Sequence, residues 1–421
     1  MQATTYGNFV FCGDRARSKA ALWAAPVLGC LLAAASLSAS AQIAFQAQPP
    51  FATGPNPSAI AVGDFNGDGK LDLAVAMYGN NDVYIYTGNG NGTFSYAGFR
   101  AVGVNPTAIV AVDLNHDGIL DLATANLGSG NVSILIGNGT AGHGDGTFQT
   151  AVAYTVGSLP ISIAVGSFNP NGFADLVTAN QGNVCAPPFS PCGTLTVLGG
   201  NGDGTFFTAT TLFPQFVPVQ VATGVFDSSL NSDIVVTGHD SNAFLVYLGD
   251  GGGAGSFPIV KGPFATASAY AVMVADFNGG GKSDLAISRS DYGDVSLLLG
   301  NGDGTFQTGA VFSEGAIGAH PYAAALGDFD GDGFPDLALA NNSDNSVAVL
   351  RDRTVGNGGF DAALTFTGGL ACPSSIAVGD FNRDGKPDLV VANDCSGTAN
   401  FLTVFLNTSI PTDRIFANGF E

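Results

Sequence analysis

The side chains best placed for chemistry are acidic and recur in one nine-residue pattern, D-x-N-x-D-G-x-x-D. Positions 1, 3, 5 and 9 present carboxylate or amide oxygens, and position 7 adds a backbone carbonyl. Glycine at position 6 lets so short a loop turn tightly. Oxygen donors at alternate positions suit a hard divalent cation, calcium first and magnesium second. Four copies have every donor. They are Asp64, Asn66, Asp68, Lys70 (carbonyl) and Asp72; Asp113, Asn115, Asp117, Ile119 (carbonyl) and Asp121; Asp328, Asp330, Asp332, Phe334 (carbonyl) and Asp336; and Asp380, Asn382, Asp384, Lys386 (carbonyl) and Asp388. A fifth has Asp276, Asn278 and Asp284 but Gly280 at position 5, which predicts weaker binding. Two more, starting at Ser167 and Val225, keep Asp175 and Asp233 at position 9 and too few other donors to hold metal.

The same residues could instead close Asp/Asn turns by side-chain hydrogen bonds with no ion. Aspartate at position 9 in all seven copies points to such a turn role there. Against that reading, three or four carboxylates within nine residues repel one another unless a cation intervenes. The complete loops are therefore expected to bind calcium and to brace hairpins, with no acid or nucleophile nearby for catalysis. Position 12 is apolar (Val75 in the first copy) and strands flank the loop, so it is not a helix–loop–helix site.

The elements around the loops repeat with them. Position 1 falls at Asp64, Asp113, Ser167, Val225, Asp276, Asp328 and Asp380, at intervals of 49 to 58 residues. Three further columns agree. Position 2 is Phe65, Leu114, Phe168, Phe226, Phe277, Phe329 and Phe381; position 10 is leucine or isoleucine throughout; and a proline stands seven residues before position 1 in all but the fifth copy. Each repeat holds four short apolar runs bounded by Gly, Asn and Pro, as at Ala59–Gly63, Leu73–Met77, Val83–Thr87 and Phe94–Phe99. Glycine strings such as 200–206 (G-N-G-D-G-T-F) supply positive φ to the third hairpin and precede no helix, so they are not phosphate loops. A β-rich period near 50 predicts an all-β, seven-bladed β-propeller, one blade per repeat. The last repeat lacks a Phe-led fourth strand, and Phe45-Gln46 near the start of the chain supplies one. The N-terminal strand is thus expected to complete the last blade and close the ring, which removes open sheet edges.

On these motifs the chain resembles the FG-GAP/VCBS repeat family, the propeller type also found at the head of integrin α subunits. The resemblance spans residues 43–409 through seven motif copies. It implies calcium at the matching loops, four sites with a weak fifth, and says nothing of an integrin partner.

Arg15, Arg17 and Lys19 precede an apolar run from Ala20 to Ala35, and Ala39-Ser40-Ala41 offers a cleavage site. Residues 1–41 therefore read as a signal peptide, 42–409 as the propeller and 410–421 as a tail. A run of about 16 residues broken by Pro26 and Gly29 is too short to span a bilayer, and no later segment qualifies. The expected location is secreted, periplasmic or cell-surface. The tail resembles those of exported bacterial proteins. Export leaves Cys185, Cys192, Cys372 and Cys395, expected to pair as Cys185–Cys192 and Cys372–Cys395. Net charge is −21, with 34 acidic residues against 13 basic, which excludes nucleic acid as a partner. All but Glu314 and Glu421 of the acidic residues are aspartate, a turn and metal-loop preference rather than a helical one.

No nucleophile elbow, zinc motif or phosphate loop is present in the sequence. The histidines His116, His143, His239 and His320 are scattered, and Trp23 lies in the signal segment. Tyr78, Tyr84, Tyr86, Tyr247, Tyr270, Tyr292 and Tyr322 could build an aromatic platform, although strand packing accounts for most. The insertion 181–193, with Pro187-Pro188-Phe189, is the expected binding surface. Two functions follow: a monomeric, non-catalytic binding or adhesion module for an extracellular protein or glycan, or a lyase-like glycan-acting enzyme. Carboxylates, histidines and tyrosines clustered in a cleft away from the acidic loops would favour the second.

Overall fold

In the computed structural model, the described residues are 43–410 except 183–192, 230, 253–254, 313–319, 354–357 and 396–398. The expected signal peptide, the tail and the Cys185–Cys192 pair lie outside them. The described chain folds into seven antiparallel sheets with a two-strand hairpin beside the second, and contains no helix. Blade one is typical, with strands Pro57–Gly63, Asp72–Met77, Asp82–Gly88 and Phe94–Ala101 in sequence order across the sheet. Each first strand touches the first strand of the next blade, and Pro373–Gly379 touches Pro57–Gly63, so the first strands ring a central axis.

The second strands are buried almost throughout, as in Asp72–Met77 and Asp336–Asn341, because a neighbouring blade covers each face. That is why they read as continuous apolar runs rather than alternating ones. The core divides accordingly into seven clusters, each between two adjacent blades. Outer strands such as Phe94–Ala101 are mostly exposed.

Two sequence columns meet at these junctions. The position 2 phenylalanine of one blade packs edge-on against the phenylalanine of the next blade's glycine hairpin. The pairs are Phe65–Phe148, Phe168–Phe257, Phe226–Phe306, Phe277–Phe360, Phe329–Phe45 and Phe381–Phe94, with ring centroids 5.4–5.7 Å apart. Leu114 and Phe206 share a cluster at the seventh junction. Such pairs contribute about 0.5–1.5 kcal/mol beyond their buried area. A backbone bond accompanies four of them: the N–H of Gly92, Gly146, Gly204 or Gly304 donates to the position 2 carbonyl across the junction. All four glycines have φ between 77° and 81°, where a side chain is strained.

The ring closes as expected. Phe45–Ala47 and Phe51–Ala52 both pair antiparallel with Ala399–Asn407, from Phe45 opposite Asn407 to Ala52 opposite Phe401. Pro49-Pro50 separates the two pieces, since proline has no N–H for the ladder. Cys372 and Cys395 form a disulfide with Cα atoms 5.2 Å apart, at the end of blade seven remote from its acidic loop.

Candidate functional site

The acidic loops join first to second strands, so all seven lie on one face of the ring. Position 9 opens the second strand and is fully buried in every blade. One carboxylate oxygen accepts the N–H of position 2 at 2.7–3.0 Å. The other accepts a backbone N–H at or just after the end of the third strand, at 2.7–2.8 Å. Position 9 is thus a staple between loop and hairpin, and it persists in the 167–175 and 225–233 loops, where Asn169, Asn171, Asp227 and Ser229 make only partial donor sets. Burial, reinforced by nearby carboxylates, pushes Asp72, Asp121, Asp233 and Asp388 up to about 6 and Asp336 to about 8.

Around the staple, the short acidic side chains organise the turn. In the five loops with aspartate at position 1, that carboxylate accepts the N–H groups of positions 5 and 6, as Asp328 does from Asp332 and Gly333 at 2.9 Å each. Position 3 accepts from the amide of position 5, and position 5, where it has a side chain, from that of position 7. Position 4 is left-handed whether it is Gly67, His116 or Arg383. The side chains of positions 1, 3 and 5 thus close the turn.

Blade six goes further. One carboxylate oxygen from each of Asp328, Asp330 and Asp332 lies within 4.8 Å of the other two, the only such group among the described residues. Asp330 is 3% exposed, and burial together with Asp332 raises it to about 6. Arg351 approaches Asp330 at 3.6 Å but is also paired to Asp361. Nearby, Asp352 is 1% exposed, and among the described residues neither of its carboxylate oxygens has a hydrogen-bond partner. Five blades have glycine at its place, where an added Cβ would come within 2.1–2.6 Å of the position 8 carbonyl. The donor set fits a hard cation: oxygens only, convergent, buried and short of positive charge.

The opposite face carries a second assembly. Where the first strands begin, a cavity of about 290 Å³ opens on the axis, lined from every blade. The residue six before position 1 rims it, as Ser58, Thr107, Ile161, Val219, Tyr270, Tyr322 and Ser374 in order. Ser58, Thr107 and Ser374 donate to the carbonyls of Pro106, Pro160 and Pro57 in the next blade at 2.7, 3.0 and 2.7 Å, the last across the ring closure. On the other side Tyr270 and Tyr322 meet edge-on, centroids 5.2 Å apart. His239 stands 6.4 Å from Tyr270, and His320 lies 6.5 Å from Tyr322. His239 Nδ1 lies 2.9 Å from Asp240 and its Nε2 3.3 Å from Asp291, and these carboxylates hold its pKa above the usual range.

An FG-GAP-like repeat model matches residues 64–124, 276–339 and 328–391. The chain carries FG-GAP-like repeats. No curated protein matches the sequence. Among solved structures, BBS1N in complex with ARL6DN is similar at 13% identity, covering 86% of this chain and 96% of that one with a TM-score of 0.57. A protein from Lactobacillus plantarum shares 14% identity over 76% of this chain and 86% of its own, TM-score 0.56. Virginiamycin B lyase from Staphylococcus aureus shares 13% over 86% and 99%, TM-score 0.55. At such identities the likeness is one of fold.

Of the sequence candidates, the FG-GAP-like loops appear where expected, and only blade six gathers three carboxylates. Tyr84 and Tyr86 pack with Tyr96, Tyr247 is buried, and Tyr292 lies under Arg289 at 4.8 Å. His116 packs on Phe173 at 5.0 Å. Most of the 181–193 insertion lies outside the described residues. Sequence reasoning missed the channel mouth, although Tyr270 and Tyr322 stand one repeat apart in one column and could have signalled it.

Proposed function

We propose that this protein is an exported, calcium-binding propeller that acts as a non-catalytic binding or adhesion module. The convergence of Asp328, Asp330 and Asp332 supports the calcium reading most directly. Asp64, Asn66 and Asp68, with their counterparts in blades two and seven, supply the other complete sets, and Asp276 and Asn278 a weaker one. Position 9 closes each loop from behind, and the position 7 carbonyl completes the set. The disulfide between Cys372 and Cys395 supports export, because such bonds persist in oxidising compartments.

Histidines, tyrosines and carboxylates do cluster away from the loops, the feature that would favour a glycan-acting enzyme. Both imidazole nitrogens of His239 face carboxylates, however, and burial raises the Tyr270 phenol to about 12. Neither group is then a ready base near neutral pH, so the binding module keeps precedence.

Calorimetric titration of chelator-treated protein with calcium tests the metal half. Four sites with a weaker fifth are expected, with dissociation constants of about 10⁻⁴–10⁻³ M; heats no larger than those of dilution would refute it. Turnover assays on neutral and acidic polysaccharides, run beside glycan-array binding, test the other half, with binding and no turnover expected.

A further inference from the structure

The channel mouth combines a cavity, aromatic rings and polar groups with unused bonding capacity. Ser58, Thr107 and Ser374 have committed their protons to proline carbonyls, so toward the axis their oxygens can only accept. Gln220 lines the same cavity, and its Oε1 accepts the Val272 N–H at 2.7 Å. That bond fixes the amide orientation and leaves the NH₂ without an acceptor among the described residues. The Tyr270 and Tyr322 hydroxyls likewise have no hydrogen-bond partner among the described residues, and Tyr322 is 43% exposed. Acceptors thus stand on one side of the axis, donors and ring surface on the other.

Charge narrows the ligand. His239, beside Tyr270, faces a carboxylate from each ring nitrogen, Asp240 and Asp291, and Asp291 also accepts from Ser268 at 2.7 Å. No lysine or arginine is among the described residues lining the cavity to pair with an anion, and the protein's net charge of −21 repels one. No carboxylate is among the residues lining the cavity, and Asp291 behind it is already engaged by His239 and Ser268, so a cationic ligand finds no direct partner at the rim among the described residues. What remains is a small neutral molecule that both donates and accepts hydrogen bonds and offers an apolar face to tyrosine. A volume of about 290 Å³ admits one six-membered ring. A larger cavity of about 450 Å³ on the flank of blade four is lined mainly by apolar groups such as Phe213, Phe216 and Val260.

We infer that the channel mouth is a binding site for a single neutral sugar ring, held between the Tyr270–Tyr322 pair, Gln220 and the Ser58, Thr107 and Ser374 oxygens. This deepens the binding-module reading and rests on it. The disulfide at Cys372, two residues before Ser374, braces the blade-seven side of the same rim.

Saturation-transfer NMR and calorimetry on the full-length protein, with glucose, galactose, mannose and N-acetylglucosamine as probes and glucuronate as the charged comparator, test this. At least one neutral sugar should bind, with glucuronate at least tenfold weaker. Tyr322→Ala should weaken binding about tenfold, as expected for a lost aromatic contact and hydroxyl. Tyr322→Phe, which keeps the ring, should weaken it only a few-fold, and both variants should melt with the parent. Binding unchanged in Tyr322→Ala, tighter binding of glucuronate, or no binding of any neutral sugar would overturn the site. Calcium titration of the same samples keeps the two claims apart: intact calcium binding without sugar binding defeats the mouth alone.

Discussion

The loops at 328–336 and 225–233 hold the same place in blades six and four and share the staple. Asp336 and Asp233 are both buried, and each bonds the N–H of position 2 and a backbone N–H at the end of the third strand. They differ in what precedes the staple. Blade six brings three carboxylates within 4.8 Å, whereas blade four has Val225 at position 1 and Ser229 at position 5. The backbone is nonetheless folded into the same hairpin. Position 9 therefore belongs to the architecture, while positions 1, 3 and 5 close the turn and supply the oxygens that the proposed ion would use.

The largest effect that could break this comparison is loss of the staple where no metal is expected. Asp233→Ala should destabilise the protein by about 2–5 kcal/mol in urea unfolding, because two buried N–H groups lose their acceptor. A variant as stable as the parent would show that the staple is dispensable and that position 9 matters only as a ligand.

Calcium sharpens the contrast from the other side. At ten times the dissociation constant each site adds about 1.4 kcal/mol of stability. Asp332→Ala should remove one site and that increment, while Asp227→Ala in blade four should leave both stoichiometry and the calcium-induced rise in melting temperature unchanged. Equal losses in the two variants would collapse the distinction.

A further test concerns protons. Burial raises the folded pKa of Asp72, Asp121, Asp233 and Asp388 to about 6 and of Asp336 to about 8, and moves Asp175 and Asp284 the same way, against about 3.9 in the unfolded chain. The native state therefore holds more protons between these values. In chelator, stability should be greatest near pH 4 and fall as pH rises toward 8. Calcium competes with those protons and should flatten the fall. Thermal melts from pH 4 to 8, with and without calcium, measure it; a chelated protein that grows more stable over this range would contradict the assignment.

Much of this was legible in the residues. The position 2 and hairpin phenylalanines could be aligned because every junction solves one packing problem, and the ring closure at Phe45 because the last repeat was a strand short. The channel mouth was not legible. Tyr270 and Tyr322 could be paired as a column, but Gln220 and His239 of blade four and Asp291 of blade five stand at three different repeat positions, so no spacing joins them.

The sequence by itself determined the number of blades, the closing strand and the acidic loops, because each depends on residues close along the chain or in register with a repeat. Only the tertiary structure decided that the seven recurring aspartates at position 9 spend both oxygens on the backbone, and how closely the carboxylates of Asp328, Asp330 and Asp332 approach one another. The reason is physical. Burial and the direction of a hydrogen bond are set by the neighbouring sheet, and a ring places beside each residue partners that lie a whole blade away in sequence.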